Sequence, residues 1–201
     1  MTLLIVTAVD AERDAVRAGL KDNADISVQT IGLGPAQAAA ATTLLLTKGN
    51  YRGVVSAGIA GAFAGRAEIG DTVVATRAIA ADLGAQSPRG WLPVVSLGFG
   101  GVSSISADSS ITANVDGHRG AVLTLATVTG TQETADELAG RYPDAHAEAM
   151  EGFGVATAAK LLGVPFAEIR TISNIVGPRD KDGWRLQDAF AALTKAVGGL
   201  A

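Results

Sequence analysis

The chain has 201 residues, 48% apolar and 4% aromatic, with no cysteine and a formal net charge of -4. That length suits one well-buried core, so a single domain over 1–201 is expected, and the small apolar residues that dominate suit close-packed strands and helices. The acidic balance without a Lys/Arg cluster excludes a nucleic-acid surface, the missing cysteines exclude disulfides, a thiolate nucleophile and sulfur metal sites, and no apolar run reaches the roughly twenty residues of a membrane span.

Leu3 to Val9 is a continuous β-rich run, shorter than the apolar part of a signal peptide and lacking its basic start, as in a strand of a cytoplasmic protein. Asp10 is placed to cap a helix through about Leu20, whose apolar positions include Ala11, Val16 and Leu20. Glu12 falls in its first turn, where a carboxylate interacts well with the helix dipole, and taken alone it reads as a surface acid. Ser27 to Ile31 is a second strand, Gly32-Leu-Gly34 a tight turn, and Pro35 opens an alanine-rich helix to Lys48. Gly32-x-Gly34 matches half of a dinucleotide fingerprint, but Gln37 stands where the third glycine belongs.

Gly53-Val-Val-Ser-Ala-Gly58-Ile-Ala-Gly61 is a buried strand running into a flexible Gly/Ala turn, which either lets backbone N–H groups approach a ligand or marks a bend. Ile69-Gly70-Asp71 turns into a strand from Thr72 to Ala81, and 82–116 is a Gly/Ser-rich excursion with short strands around Trp91 and Phe99. Gly120 to Val128 is a further strand, and Thr131 caps a helix to about Tyr142. Glu151 opens the next helix, Phe166 to Ile172 forms the last core strand, and Trp184 to Leu200 a closing amphipathic helix. The alternation of strand and helix predicts an α/β fold: three layers, α/β/α, around a mixed, mainly parallel twisted sheet.

His118 and His146 are the only histidines and lie at no metal-ligand spacing, so no metal site is expected. Ser-His-Asp order and nucleophile elbow are both missing. What remains is a set of acids and amides at strand ends: Glu12, Glu151, Asn174 and Asp180.

Ala8-x-x-x-Glu12, Gly32-x-Gly34, Gly58-x-Ala60-Gly61 before Ile69-Gly70-Asp71, Met150-Glu151 before an alanine-rich helix, and Ile172-Ser173-Asn174 resemble, in that order, the purine nucleosidase/nucleoside phosphorylase superfamily. Met150-Glu-Gly152 and Ile172-Ser-Asn174-x-x-Gly-Pro-Arg-Asp180 are similar to its futalosine hydrolase family, itself related to methylthioadenosine/S-adenosylhomocysteine nucleosidases. The resemblance implies a nucleoside phosphorylase-like fold and a cytoplasmic homo-oligomer, dimer or tetramer. It implies hydrolysis of futalosine to hypoxanthine and dehypoxanthinyl futalosine in menaquinone biosynthesis, with no metal or organic cofactor. The partner is a small-molecule nucleoside, with no nucleic acid and no membrane. Adenine release from methylthioadenosine, S-adenosylhomocysteine or aminofutalosine is the alternative enzymatic reading; a non-catalytic nucleoside-binding domain is the other.

By the same resemblance Glu12 matches the acid that activates water, Met150 and Glu151 the pair under the ribose, and Gly61 a backbone N–H near water and base. Ser173 and Asn174 stand beside the base, and Asp180 is either its proton source or a loop acid paired with Arg179. Adenine-specific relatives carry an aspartate where Asn174 stands. An amide offers one donor and one acceptor, so it can serve O6 and N7–H of a 6-oxopurine. Ala149 replaces a second acid of those relatives, with Glu148 expected on the other face of the strand. Glu133 lies near their base-stacking aromatic, leaving Phe153 or Trp184 to stack on the base or simply to pack. The excursion around Trp91 and Phe99 is the candidate to complete a neighbour's 5′ pocket.

Overall fold

The structure, a computed structural model, describes residues 1–20 and 23–200. The opening run is β1 (Thr2–Thr7), followed by α1 (Asp10–Leu20), β2 (Ile26–Thr30), α2 (Pro35–Lys48) and β3 (Tyr51–Ala62). β1 lies between β2 and β3, parallel to both. Next come β4 (Thr72–Ala80), the hairpin of β5 (Gly84–Ser87) and β6 (Gly90–Pro93), and the short β7 (Ser104–Ser106). The excursion with short strands is thus present. β8 (His118–Thr124), α3 (Gln132–Arg141), β9 (Ala145–Ala149), α4 (Gly152–Leu162), β10 (Phe166–Ile175) and α5 (Leu186–Val197) complete the chain.

All strands except β5 and β6 join one eight-stranded sheet. β10–β4, β3–β9 and β4–β7 are antiparallel and the other ladders parallel, so the sheet is mixed and mainly parallel as expected. It also closes on itself: β3 pairs β10, and the path through β4, β8 and β9 returns to β3. Ring closure depends on pairings far apart in the chain and was not foreseeable from strand and helix alternation.

β1 shows why the opening run is apolar throughout. Leu3 and Ile5 face a core sealed by Val16 of α1 and Leu193 and Val197 of α5. Leu4 and Val6, on the other side of the pleat, face Ala38 and Leu46 of α2 and Val155 and Ala159 of α4. A strand covered on both faces has no position for a polar residue, and each such side chain contributes about 1.5–3 kcal/mol by burial. α3 lays Ala135 and Leu138 against Leu123 of β8, with Thr131 accepting from the Thr134 N–H as its N-cap. None of the described helices is long and apolar enough to cross a membrane.

Several expected boundaries move. The segment Gly58 to Gly61 is not a turn, because β10 supplies a ladder partner at each position up to Ala62. β8 ends at Thr124 rather than Val128, and α5 starts at Leu186, leaving Trp184 in the preceding loop. At the start of α1 the backbone N–H groups of Ala8 and Val9 are accepted by Glu12, while Asp10 binds Arg13 and Thr30.

One edge of β3 positions the site. β1 accompanies that edge as far as Val6 opposite Ser56, and β9 takes it over only at Gly61 opposite Glu148. Between them the ladder parts, and a divergence at carboxyl ends of strands is where open α/β sheets admit ligands.

Candidate functional site

A cavity of about 740 Å³ opens at this parting. Glu12 reaches it from the first turn of α1 and is only 3% exposed. Its Oε2 accepts from Ala8 N–H at 2.9 Å and Val9 N–H at 3.3 Å, and its Oε1 from Ile59 N–H at 2.9 Å. Those bonds tie the helix start to the strand and fix the carboxylate against the cavity wall. Burial pushes the Glu12 carboxyl above the ordinary glutamate range; Arg170 and the Ile59 and Ala8 N–H groups act against that rise, and Glu151 adds to it.

Buried Arg170 and Glu168, for which the sequence suggests no role, join Glu12 and Glu151 in one charge cluster. Arg170, in mid-β10, donates from Nε to Glu168 at 2.9 Å and from Nη2 to Ser56 Oγ at 2.9 Å, and its Nη1 lies 3.4 Å from Glu151 Oε2. Burial disfavours the guanidinium's charge, but Glu168, Glu151 and Glu12 outweigh it and hold its pKa above the ordinary value. Burial likewise drives the Glu168 carboxyl upward against Arg170, and Glu168 Oε2 is buried without a hydrogen-bond partner. The sequence did carry a signal for this pair: two opposite charges two apart in a core strand share one face and must satisfy each other.

Glu151 sits at the start of α4, where its Oε1 accepts from Gly34 N–H at 3.3 Å. The Gly32-Leu-Gly34 turn thus supports a carboxylate, and Gly34 has the positive φ of 85° that a side chain would resist. The next residue, Gly152, is small for a definite reason: a Cβ there would come within 2.2 Å of the Glu168 carboxylate. Met150, half-buried, lines the cavity beside Glu151.

Farther along its pairing with β3, β10 bulges. Ile172 pairs with Ala60 and Asn174 with Gly61, so Ser173 is an extra residue, and the adjacent Ser173 and Asn174 both line the cavity with Gly61. The Ser173 hydroxyl lies 2.8 Å from Asn174 Oδ1, and Asn174 Nδ2 donates to Ile175 O at 3.1 Å.

One expectation needs correction, and two open pairs of readings narrow. Glu148 is not turned away: it lines the cavity, 6% exposed, with its carboxylate accepting from both the N–H and the hydroxyl of Thr129. Phe153 does not line it; one helical step of about 100° past Gly152 turns the ring into the α2–α4 core. Asp180 does border the cavity but makes no pair with Arg179: its Oδ1 accepts from the N–H groups of Asp182 and Gly183, and the Arg179 guanidinium stands 5.6 Å over the Trp184 ring. Trp184 and Phe190 are the aromatics of the lining, whereas Glu133 is exposed on α3. His118 pairs with Asp71 at 3.0 Å, outside the cavity, and no group of three or more metal-ligating side chains occurs among the described residues.

The cavity can therefore hold a flat polar ring between amide and acid groups on one side and present buried carboxylates to a cationic centre on the other. Residues 8–200 match the family described as the phosphorylase superfamily. The chain is 48% identical to a futalosine hydrolase of Streptomyces coelicolor, over 100% of this chain and 95% of that protein. It is 42% identical to a futalosine hydrolase of Acidothermus cellulolyticus, over 96% and 90%. In fold it is similar to the crystal structure of a 5′-methylthioadenosine/S-adenosylhomocysteine nucleosidase from Neisseria meningitidis, with a TM-score of 0.85 at 19% identity over 99% of this chain and 97% of that one.

Proposed function

The chain belongs to the phosphorylase superfamily, and from that premise we propose that it hydrolyses the N-ribosidic bond of futalosine, releasing hypoxanthine and dehypoxanthinyl futalosine for menaquinone biosynthesis. The observation that carries the reading is the meeting of buried Glu12 and Glu151 with Asn174 in the lining of one cavity, in a chain 48% identical over its whole length to a futalosine hydrolase.

Cleaving a ribosyl C–N bond passes through an oxocarbenium-like sugar, so positive charge at the sugar, a water and a departing base must each find a partner. Glu12 takes the proton of the water whose oxygen bonds to the anomeric carbon. Glu151 and Met150 lie under the ribose, with the Glu151 carboxylate binding its hydroxyls and facing the developing cation. The electron pair of the broken C–N bond leaves with the purine, which is protonated at N7. Asn174 accepts from that N7–H and donates to O6, with Gly61 close to the base. Ser173, whose hydroxyl lies 2.8 Å from Asn174 Oδ1, sets the amide's orientation. Trp184 and Phe190 supply the apolar wall. Asp180, on leaving the N–H groups of its own loop, gives the purine its N7 proton.

Water rather than phosphate fits this lining. Phosphate needs a free Arg fork or a set of N–H donors. Arg170 is committed to Glu168, Ser56 and Glu151, and the Arg of the described lining, Arg179, is stacked on Trp184. We also propose a homo-oligomer, supported by Val95 at 57% and Phe99 at 86% exposure in the excursion after β6.

The test is a chromatographic assay of futalosine, aminofutalosine, inosine and methylthioadenosine, each with and without phosphate. Hypoxanthine released fastest from futalosine, at a rate indifferent to phosphate, supports the reading. Faster release of adenine makes the chain an adenine-side nucleosidase, and binding without turnover a nucleoside-binding domain.

A further inference from the structure

Gly61 stands between two polar residues that approach it from opposite sides. Asn174 pairs with it across the parallel ladder to β10, and Glu148 across the antiparallel ladder to β9. Strands are about 4.8 Å apart, so the two backbones stand roughly 10 Å apart with only a glycine between them. Both side chains line the cavity. The glycine leaves room for the amide: a Cβ at Gly61 would lie 3.0 Å from Asn174 Nδ2 and 2.9 Å from a Val176 methyl group, and would push on both. The space above Gly61 is thus a flat slot with an amide at one end and a carboxylate at the other.

The carboxylate is held ready. One oxygen of Glu148 accepts from Thr129 N–H at 2.7 Å and the other from the Thr129 hydroxyl. Burial raises the Glu148 carboxyl above the ordinary glutamate range, with the Thr129 hydroxyl and N–H opposing that rise; in its ionised form, with a donor already on each oxygen, it offers the cavity acceptor capacity alone. A 6-oxopurine carries a hydrogen on N1, next to the O6 that Asn174 reaches. A 6-aminopurine has a lone pair at N1, which would face the carboxylate's lone pairs.

We propose that Glu148 accepts the N1–H of the purine and forms, with Asn174, the pair of residues that selects a 6-oxopurine. The inference rests on the proposed nucleosidase reading and deepens it: Asn174 reads N7 and O6, and Glu148 reads N1. Two independent groups then reject the 6-amino base, one by its exocyclic nitrogen and one by its ring nitrogen.

Glu148→Gln tests this, because glutamine keeps the shape and offers an N–H that an adenine N1 can accept. The expected result is a fall in kcat/KM on futalosine of roughly 10- to 100-fold, with aminofutalosine spared or improved. A purely structural role would depress both substrates alike, so an unchanged ratio of the two overturns the proposal. Unmodified protein supplies a second measurement that needs no variant: calorimetric binding of hypoxanthine against 1-methylhypoxanthine, in which N1 has no hydrogen. Binding of the methylated base weaker by roughly tenfold or more is expected; equal affinity overturns the N1 contact. Wild-type protein that fails to cleave futalosine would sink the functional reading, while the same base affinities, measured in wild type and in Glu148→Gln, would still decide the role of Glu148.

Discussion

A Cβ atom at Gly58 would lie 2.5 Å from Glu12 Oε1 and 2.9 Å from Arg170 Nη1, so helix α1 and strand β10 bring their charged groups together over β3 only because position 58 carries no side chain. The absent side chain is what lets the Ile59 N–H reach the same carboxylate oxygen.

Gly58→Ala should therefore displace the Glu12 carboxylate. Overpacking of a full interior costs about 1–3 kcal/mol, so the variant should fold with a lower denaturation midpoint. Its kcat should drop on the order of 100-fold, since catalytic geometry tolerates little misplacement. Circular dichroism with steady-state kinetics checks both, and wild-type kcat in a folded variant would refute the steric argument.

The acid limb of activity should belong to Glu12. Burial raises its pKa, with Arg170 and backbone N–H groups only partly opposing. The water-activating form is the carboxylate, so kcat/KM falls as pH drops through that raised value, and the limb should lie above the ordinary glutamate pKa of 4.5. Glu12→Gln should lower kcat by roughly 10²- to 10⁴-fold and remove the limb, which Glu148→Gln should retain. A pH–rate profile whose limb sits at or below that ordinary value would contradict the assignment.

Stability should carry the mark of Glu168. Its folded-state pKa is raised by burial, so the protonated form is favoured on folding. Stability tied to it is present below the unfolded pKa and is lost as pH rises through the folded pKa. Glu168→Gln removes that dependence at constant shape. Relative to wild type the variant should gain with rising pH, by about 1.4 kcal/mol for each unit by which the pKa is raised. Urea unfolding at about pH 5 and about pH 8 reads this directly, and a difference independent of pH would refute it.

Much of this site was legible in the sequence because its pieces fall at element ends, where residue type has few meanings. Glu12 at a helix start, the Gly32-Leu-Gly34 turn, Met150-Glu151 before α4 and Ser173-Asn174 at a strand end all converge on the cavity. What escaped depends on which way a side chain points. Counting strand alternation misplaced Glu148, because all of 148–151 border the cavity where β9 gives way to α4. The β10 bulge at Ser173 likewise breaks the two-residue period. Of the two readings open for Phe153, packing is the one observed, because one helical step past Gly152 turns it into the core. Closure of the sheet and the partnership of Arg170 with Glu168, Glu151 and Ser56 arise from tertiary pairings, for which a linear pattern holds only the hint of paired charges in β10.

Substituting aspartic acid for one amide interrogates the central claim most directly: the ratio of kcat/KM for futalosine to that for aminofutalosine, in wild type and in Asn174→Asp. An acid there can protonate N7 and accept from a 6-amino group but loses the donor to O6, so the ratio should favour futalosine in wild type and fall on the order of 10- to 100-fold in the variant. A ratio that stays the same would show that the amide does not choose the base.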